Sequence, residues 1–103
     1  MRANNKSQHG DVITMQSLED RILDYIYYLN MKYYVDSISL ARLCYKMQRS
    51  VIAVKSDLDS LVAKGLLDEY NQGDVVSYTI SKEGIDYVKR KSLMRIGNLM
   101  VAG

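Results

Sequence analysis

The side chains best suited to chemistry are few in this 103-residue chain: one histidine, His9, and one cysteine, Cys44. A lone cysteine excludes an intramolecular disulfide. With one histidine beside it, the chain also lacks the ligand set of a structural zinc. His9 has no nucleophile or acid placed with it, and Cys44 falls on the packed face of an expected helix, where cysteine behaves as a small apolar residue. Asp57 and Asp59 are two residues apart, so on a helix they point to different sides and do not form a carboxylate pair. No glycine-rich phosphate loop is present. These observations argue against an enzyme, and no catalytic residue, metal or cofactor is expected. The run Lys89-Arg90-Lys91, followed by Arg95, carries positive charge. It suits a helix C-terminus on a solvated face, or else a contact with a polyanion.

Size and composition bound the elements that must position such residues. The length is that of one domain. With 48% hydrophobic and 25% charged residues, the chain can bury a core, and wholesale disorder is excluded. The net charge of +2 and a pI near 8.6 permit nucleic-acid binding without arguing for it. No apolar run approaches a membrane span, and the polar stretch Met1 to Gln16 lacks the apolar centre of a signal peptide. A soluble, cytoplasmic protein is expected. Nine tyrosines stand beside no phenylalanine or tryptophan, a bias without a functional account.

Residues 1–11 read as a flexible leader, and Val12, Ile13 and Met15 as the start of an ordered arm. Ser17 is suited to cap a helix with Glu19 and Asp20 in its first turn. Leu18, Ile22, Tyr25, Ile26 and Leu29 follow at helical spacing to about Lys32. Leu23, Tyr27 and Met31 form a second apolar line, expected to meet a partner chain or the C-terminal segment. Tyr33 to Ser39 suits a short strand or extended link. Ser39 caps a helix with Leu40, Leu43, Cys44 and Met47 on one face; Gln48-Arg49 forms a turn; Ser50 caps a helix burying Val54, Leu58, Leu61 and Val62. Gly65 stops that helix. The period then changes to two. Leu66–Tyr70 and Val75–Ile80 are expected as strands around an Asn71-Gln72-Gly73-Asp74 turn, with Val76, Tyr78 and Ile80 on one face. Ser81 caps a last helix carrying Ile85 and Val88 and continuing through Leu93, Met94 and Ile96 towards Gly97.

The segment Leu43 to Val54, continued by Leu58, Leu61 and the step Leu61-Val62-Ala63-Lys64-Gly65-Leu66, resembles the helix-turn-helix of winged-helix transcriptional regulators of the MarR and PadR type. The stretch Tyr78-Thr79-Ile80-Ser81-Lys82-Glu83-Gly84 is similar to the exit of that family's wing. The resemblance covers residues 17 to 91. It implies a mainly α fold with a small β-hairpin (α+β), a winged helix-turn-helix ordered α1-β1-α2-α3-β2-β3-α4. A winged-helix domain over 12–92 would follow the leader, with 93–103 as an apolar C-terminal segment.

The resemblance also implies a function: a sequence-specific, double-stranded-DNA-binding transcriptional regulator acting as a homodimeric repressor. The third helix would enter the major groove, with Val51, Ile52, Lys55, Ser56 and Ser60 facing it and Arg49 in the adjoining turn. Ser50 would combine capping with a phosphate contact. Arg42 and Lys46 would bind phosphates, and Asn71 and Gln72 would be the wing's contacts. Independently of the resemblance, the apolar character of Val12, Ile13, Met15, Leu93, Met94, Ile96, Leu99 and Met100 points to a dimer built from the terminal segments, the alternative being a tail folded back on its own domain. Three features depart from the family pattern. Arg49 replaces an apolar turn residue, Asp57 and Asp59 bring acid to the recognition helix, and the wing tip has no Arg or Lys while Asp68 and Glu69 lie close by. The modest net charge and the acidic wing favour the alternative, a winged-helix module that binds a protein partner and not DNA.

Overall fold

Four serines start the four helices by local chemistry. The computed structural model describes the backbone of residues 17–102 and the side chains of residues 17–94. The Ser17 hydroxyl accepts from the Asp20 N–H at 3.1 Å and opens α1 (Leu18–Tyr33). Ser39 accepts from Arg42 N–H at 3.2 Å and opens α2 (Leu40–Met47). Ser50 does the same for Ala53 at 3.2 Å and α3 (Val51–Ala63), and Ser81 for Gly84 at 2.9 Å and α4 (Lys82–Ala102). Each cap satisfies a helix-end donor that would otherwise lack a partner, worth about 1 kcal/mol.

The helix ends are equally local. Tyr34 (φ 58°) and Gln48 (φ 56°) close α1 and α2 in the left-handed conformation, which costs a residue with a Cβ more than it costs glycine. After α3, Gly65 (φ 78°) donates to the Val62 carbonyl at 2.9 Å and Leu66 to Leu61 at 3.0 Å. This pair of bonds is a Schellman cap.

The strands β1 (Ile38–Ser39), β2 (Leu67–Gln72) and β3 (Val75–Ile80) form one antiparallel sheet in the order β1-β3-β2. Ile38 pairs with Tyr78, and the β2–β3 ladder runs from Leu67↔Ile80 to Gln72↔Val75. The element order is that of a winged helix-turn-helix, as expected. Within the sequence-predicted turn the boundaries shift: Asn71 and Gln72 belong to β2 and pair with Val76 and Val75. Only Gly73-Asp74 turns the chain, with Gly73 at φ 63°, the sign of φ that a II′ hairpin needs at its first central residue. Of the extended link Tyr33–Ser39, only the last two residues pair as strand.

Ile22, Leu23 and Ile26 of α1 pack with Leu43 and Met47 of α2, Val54, Leu58 and Leu61 of α3, Leu67, Tyr78 and Ile80 of the wing and Val88 of α4. The second apolar line of α1 divides. Leu23 is fully buried in its own chain's core and Tyr27 packs against it, so of the three only Met31 lies exposed. A helix contacted by α2, α3, α4 and β3 needs two apolar faces to serve them. α4 passes Ser92 and Gly97 without a break, so residue 93 starts no separate backbone element. Val12, Ile13 and Met15, and the side chains of Ile96, Leu99 and Met100, lie outside the described residues. No described helix is long and apolar enough to cross a membrane.

Gly84 fixes how closely α4 approaches the end of α3. A Cβ there would run into the Leu66 carbonyl oxygen and come within 2.8 Å of Ile80 Cγ1. Ser81 binds the same junction twice: its N–H donates to Leu66 O at 3.1 Å and its hydroxyl to Gly65 O at 2.6 Å.

Candidate nucleic-acid interface

The short link Gln48-Arg49-Ser50 sets α2 and α3 against each other. The αL cap at Gln48 turns the chain, and the Ser50 cap restarts it. Leu43 and Met47 face Val54 and Leu58 in the core, so the opposite face of α3's first turns is pushed outward. That face carries Val51 and Ile52, 56% and 83% exposed, followed along the same stripe by exposed Ser56, Asp59 and Ala63. Arg49 is exposed in the turn, its guanidinium donating to Gln48 O at 3.4 Å.

Two residues expected on the groove face are engaged elsewhere. Lys55 is half-buried; its ammonium donates to Asp59 at 2.6 Å and to Glu69 of β2 at 3.4 Å, and lies 6.0 Å from the Tyr78 ring centroid. The Asp59 carboxylate pushes the Lys55 pKa up despite partial burial. Burial pushes the Tyr78 phenol up as well, with Lys55 acting the other way, so it stays neutral. Ser60 turns towards α1, donating its hydroxyl to Glu19 at 2.5 Å, and Lys64 pairs with the same carboxylate at 3.0 Å. These partners, the Ser60 hydroxyl foremost, hold the Glu19 carboxyl below its ordinary range against the effect of burial.

On α2, Arg42 and Lys46 are exposed on one face, as expected, with Lys46 Nζ 5.3 Å from the Tyr25 ring. Tyr45 stands between them at 86% exposure. Its place three residues after Arg42 and next to Lys46 was available from the sequence alone, but an aromatic on a short amphipathic helix reads first as core. These three residues with Tyr25, Ser39 and Ala41 line an open groove of about 690 Å³. A smaller hollow of about 350 Å³ separates the wing from the helix starts. Leu40, Ala41, Val51, Val75 and Val76 line it, with Ser39 and Asp74 at the polar end. Asn71 and Gln72 are exposed near the wing tip.

The basic run of α4 divides. Lys89 and Arg90 are exposed, whereas Lys91 pairs with Asp24 at 3.1 Å and Asp20 at 3.8 Å. Cys44 is a half-buried free thiol packed on the core. Among the described residues no group of three metal-ligating side chains exists.

A helix pair with an outward leading edge, flanked by a two-stranded wing, defines the fold class: a winged helix-turn-helix of the kind built by MarR-type transcription regulators. Solved structures with this fold make the likeness concrete. MepR, a transcription regulator of the Staphylococcus aureus multidrug efflux pump MepA, aligns over 92% of this chain and 70% of its own, with a TM-score of 0.67 at 16% identity. Lactococcus lactis ZitR aligns over 92% and 67%, with a TM-score of 0.62 at 17% identity. A mutant MarR from E. coli complexed with operator DNA aligns over 78% and 55%, with a TM-score of 0.59 at 16% identity. The S. aureus MepR–DNA complex also aligns, over 92% and 70% with a TM-score of 0.62 at 16% identity. In sequence, no family model and no curated protein matches.

Proposed function

We propose that this chain is a sequence-specific, double-stranded-DNA-binding regulator of transcription, without catalytic activity, acting as a homodimeric repressor. The observation that carries the reading is the leading edge of α3. Val51, Ile52 and Ser56 are exposed there, with Arg49 at its root and Arg42 and Lys46 on the adjoining helix. Two of the neighbouring structures hold DNA in the same fold. Arg42, Lys46 and Arg49 bind phosphates and set the register, and α3 faces base edges. Ser56 joins them; Lys55 and Ser60 are committed to internal partners. Asn71 and Gln72 meet the backbone as polar wing contacts. Leu93 and Met94, 66% and 69% exposed on α4, support a two-fold dimer that sets two α3 helices on successive turns of one duplex face. A dimer seated over a promoter excludes other proteins from it, hence repression.

Duplex affinity measured against salt tests this. Affinity falls steeply with rising salt. Arg49→Ala weakens binding by roughly 1–3 kcal/mol for a base contact, or uniformly across sequences with a salt slope shallower by about one for a phosphate contact. A folded protein that binds no duplex at low salt overturns the proposal. The second reading, a protein-binding module, is favoured by one feature: apolar Val51 and Ile52 stand exposed beside a wing tip without a cation. It gains if duplex binding is absent.

A further inference from the structure

The outward stripe of α3 is chemically narrow. In the major groove, guanine is read by Arg or Lys, adenine by Asn or Gln, cytosine by a carboxylate, and thymine by an apolar group against its C5-methyl. Residues 51–63 contain no Arg, Asn or Gln. Their one lysine, Lys55, is held at 2.6 Å by Asp59 Oδ1 and at 3.4 Å by Glu69. Of the two carboxylates, Asp59 is thus paired through one oxygen and lies two turns behind the leading end, and Asp57 is half-buried on the helix flank, off the outward stripe. What the leading end presents is Val51 and Ile52, 56% and 83% exposed, and the hydroxyl of Ser56, which accepts any base. Val75, 52% exposed on the wing, continues the apolar surface across the hollow it shares with Val51. Arg49 in the adjoining turn and Arg42 and Lys46 on α2 are exposed cations, complementary in charge to a phosphate backbone.

We propose that this face reads base sequence through C5-methyl groups, Ile52 and Val51 packing on methyls in the major groove. The inference rests on the DNA-binding reading and specifies its ligand: duplexes with thymine, or with 5-methylcytosine, under the leading end of α3. Guanine-rich half-sites without C5-methyls are poor ligands. The side chains are already exposed, so contact removes apolar surface from water on both partners at little conformational cost, because β-branched residues on a helix are fixed at χ1. Cytosine methylation at a contacted position therefore raises affinity.

The test begins with the duplex that the full chain selects from a random pool at low salt. Each thymine in its half-sites is then replaced by deoxyuridine, which deletes only the methyl. Each contacted position loses about fourfold in affinity, the equivalent of one methyl group returned to water. Replacing such a thymine by 5-methylcytosine (with guanine opposite) retains more affinity than replacing it by cytosine. The Ile52→Ala variant binds the thymine duplex more weakly and is indifferent to the deoxyuridine change at the Ile52 position; its circular dichroism and melting confirm that it is folded. A selected duplex whose affinity ignores methyl deletion at every position overturns this inference and leaves DNA binding standing. Selection that recovers no duplex overturns the DNA-binding reading and, with it, this one.

Discussion

The two halves of α3 are built from similar residues and do opposite things. In the leading half, Val51, Ile52 and Ser56 face outward. In the trailing half, Leu58 and Leu61 are buried, Asp59 is tied to Lys55, which also reaches Glu69, and Ser60 is tied to Glu19. The polar groups of the rear join α3 to α1 and to the wing. They hold the helix at a fixed angle and leave its front to present apolar surface. Polarity on a helix face is thus a poor guide to what the face is for: here Lys55 and Asp59 are engaged within the fold and the exposed aliphatic side chains are the candidates for contact.

The contrast is sharpest on comparing two truncations six residues apart. Leu58→Ala opens a cavity in the core and costs about 2–5 kcal/mol, whereas Ile52→Ala stays within about 0.5 kcal/mol of the parent. Urea denaturation of both variants checks this, and equal losses would erase the distinction between the halves. Gly84→Ala attacks the rear from outside, pushing α4 off the Leu66 carbonyl. A loss of about 1–3 kcal/mol is expected from overpacking, read as a lower melting temperature. At the front, Ser50→Ala removes the cap on Ala53 N–H at a cost of about 1 kcal/mol, and Ser50→Gly costs only a few tenths.

The smallest effect belongs to the link between α1 and α3. Glu19 has a depressed pKa in the folded chain, owing first to the Ser60 hydroxyl. Its stabilisation is present above the unfolded glutamate value, about 4.3. It is lost as pH falls through the lower folded value. On acidification from about pH 6 to pH 3, the parent loses more melting temperature than Glu19→Gln does. Parallel pH profiles would show that the carboxylate contributes nothing there.

What the sequence made legible follows from the range of each interaction. Ser17, Ser39, Ser50 and Ser81 all cap helices where expected, because a cap joins residues three apart. The period-two run of β3 predicts its buried face, with Tyr78 and Ile80 in the core. The wing tip shifted because ladder pairing outweighs the turn preference of asparagine: Asn71 pairs with Val76. The distant partners of Lys55, Ser60 and Lys91 were not legible. Glu69 is 14 residues from Lys55, Glu19 is 41 from Ser60, and Asp24 is 67 from Lys91. The spacing of Lys55 and Asp59 does encode their i,i+4 pair, but no local pattern encodes the three distant ones, which anchor Lys55, Ser60 and Lys91 to other elements.

The bonds that Ser81 makes to Gly65 and Leu66 clasp the hairpin at its base. Residues 67–80 therefore behave as a closed cassette, with both ends fastened to each other before either reaches a helix. Lengthening the tip at Gly73-Asp74 extends only a loop, and loop closure entropy grows slowly with added residues. Reach and charge at the tip can thus diverge between descendants of this chain while the angle of α3 is conserved.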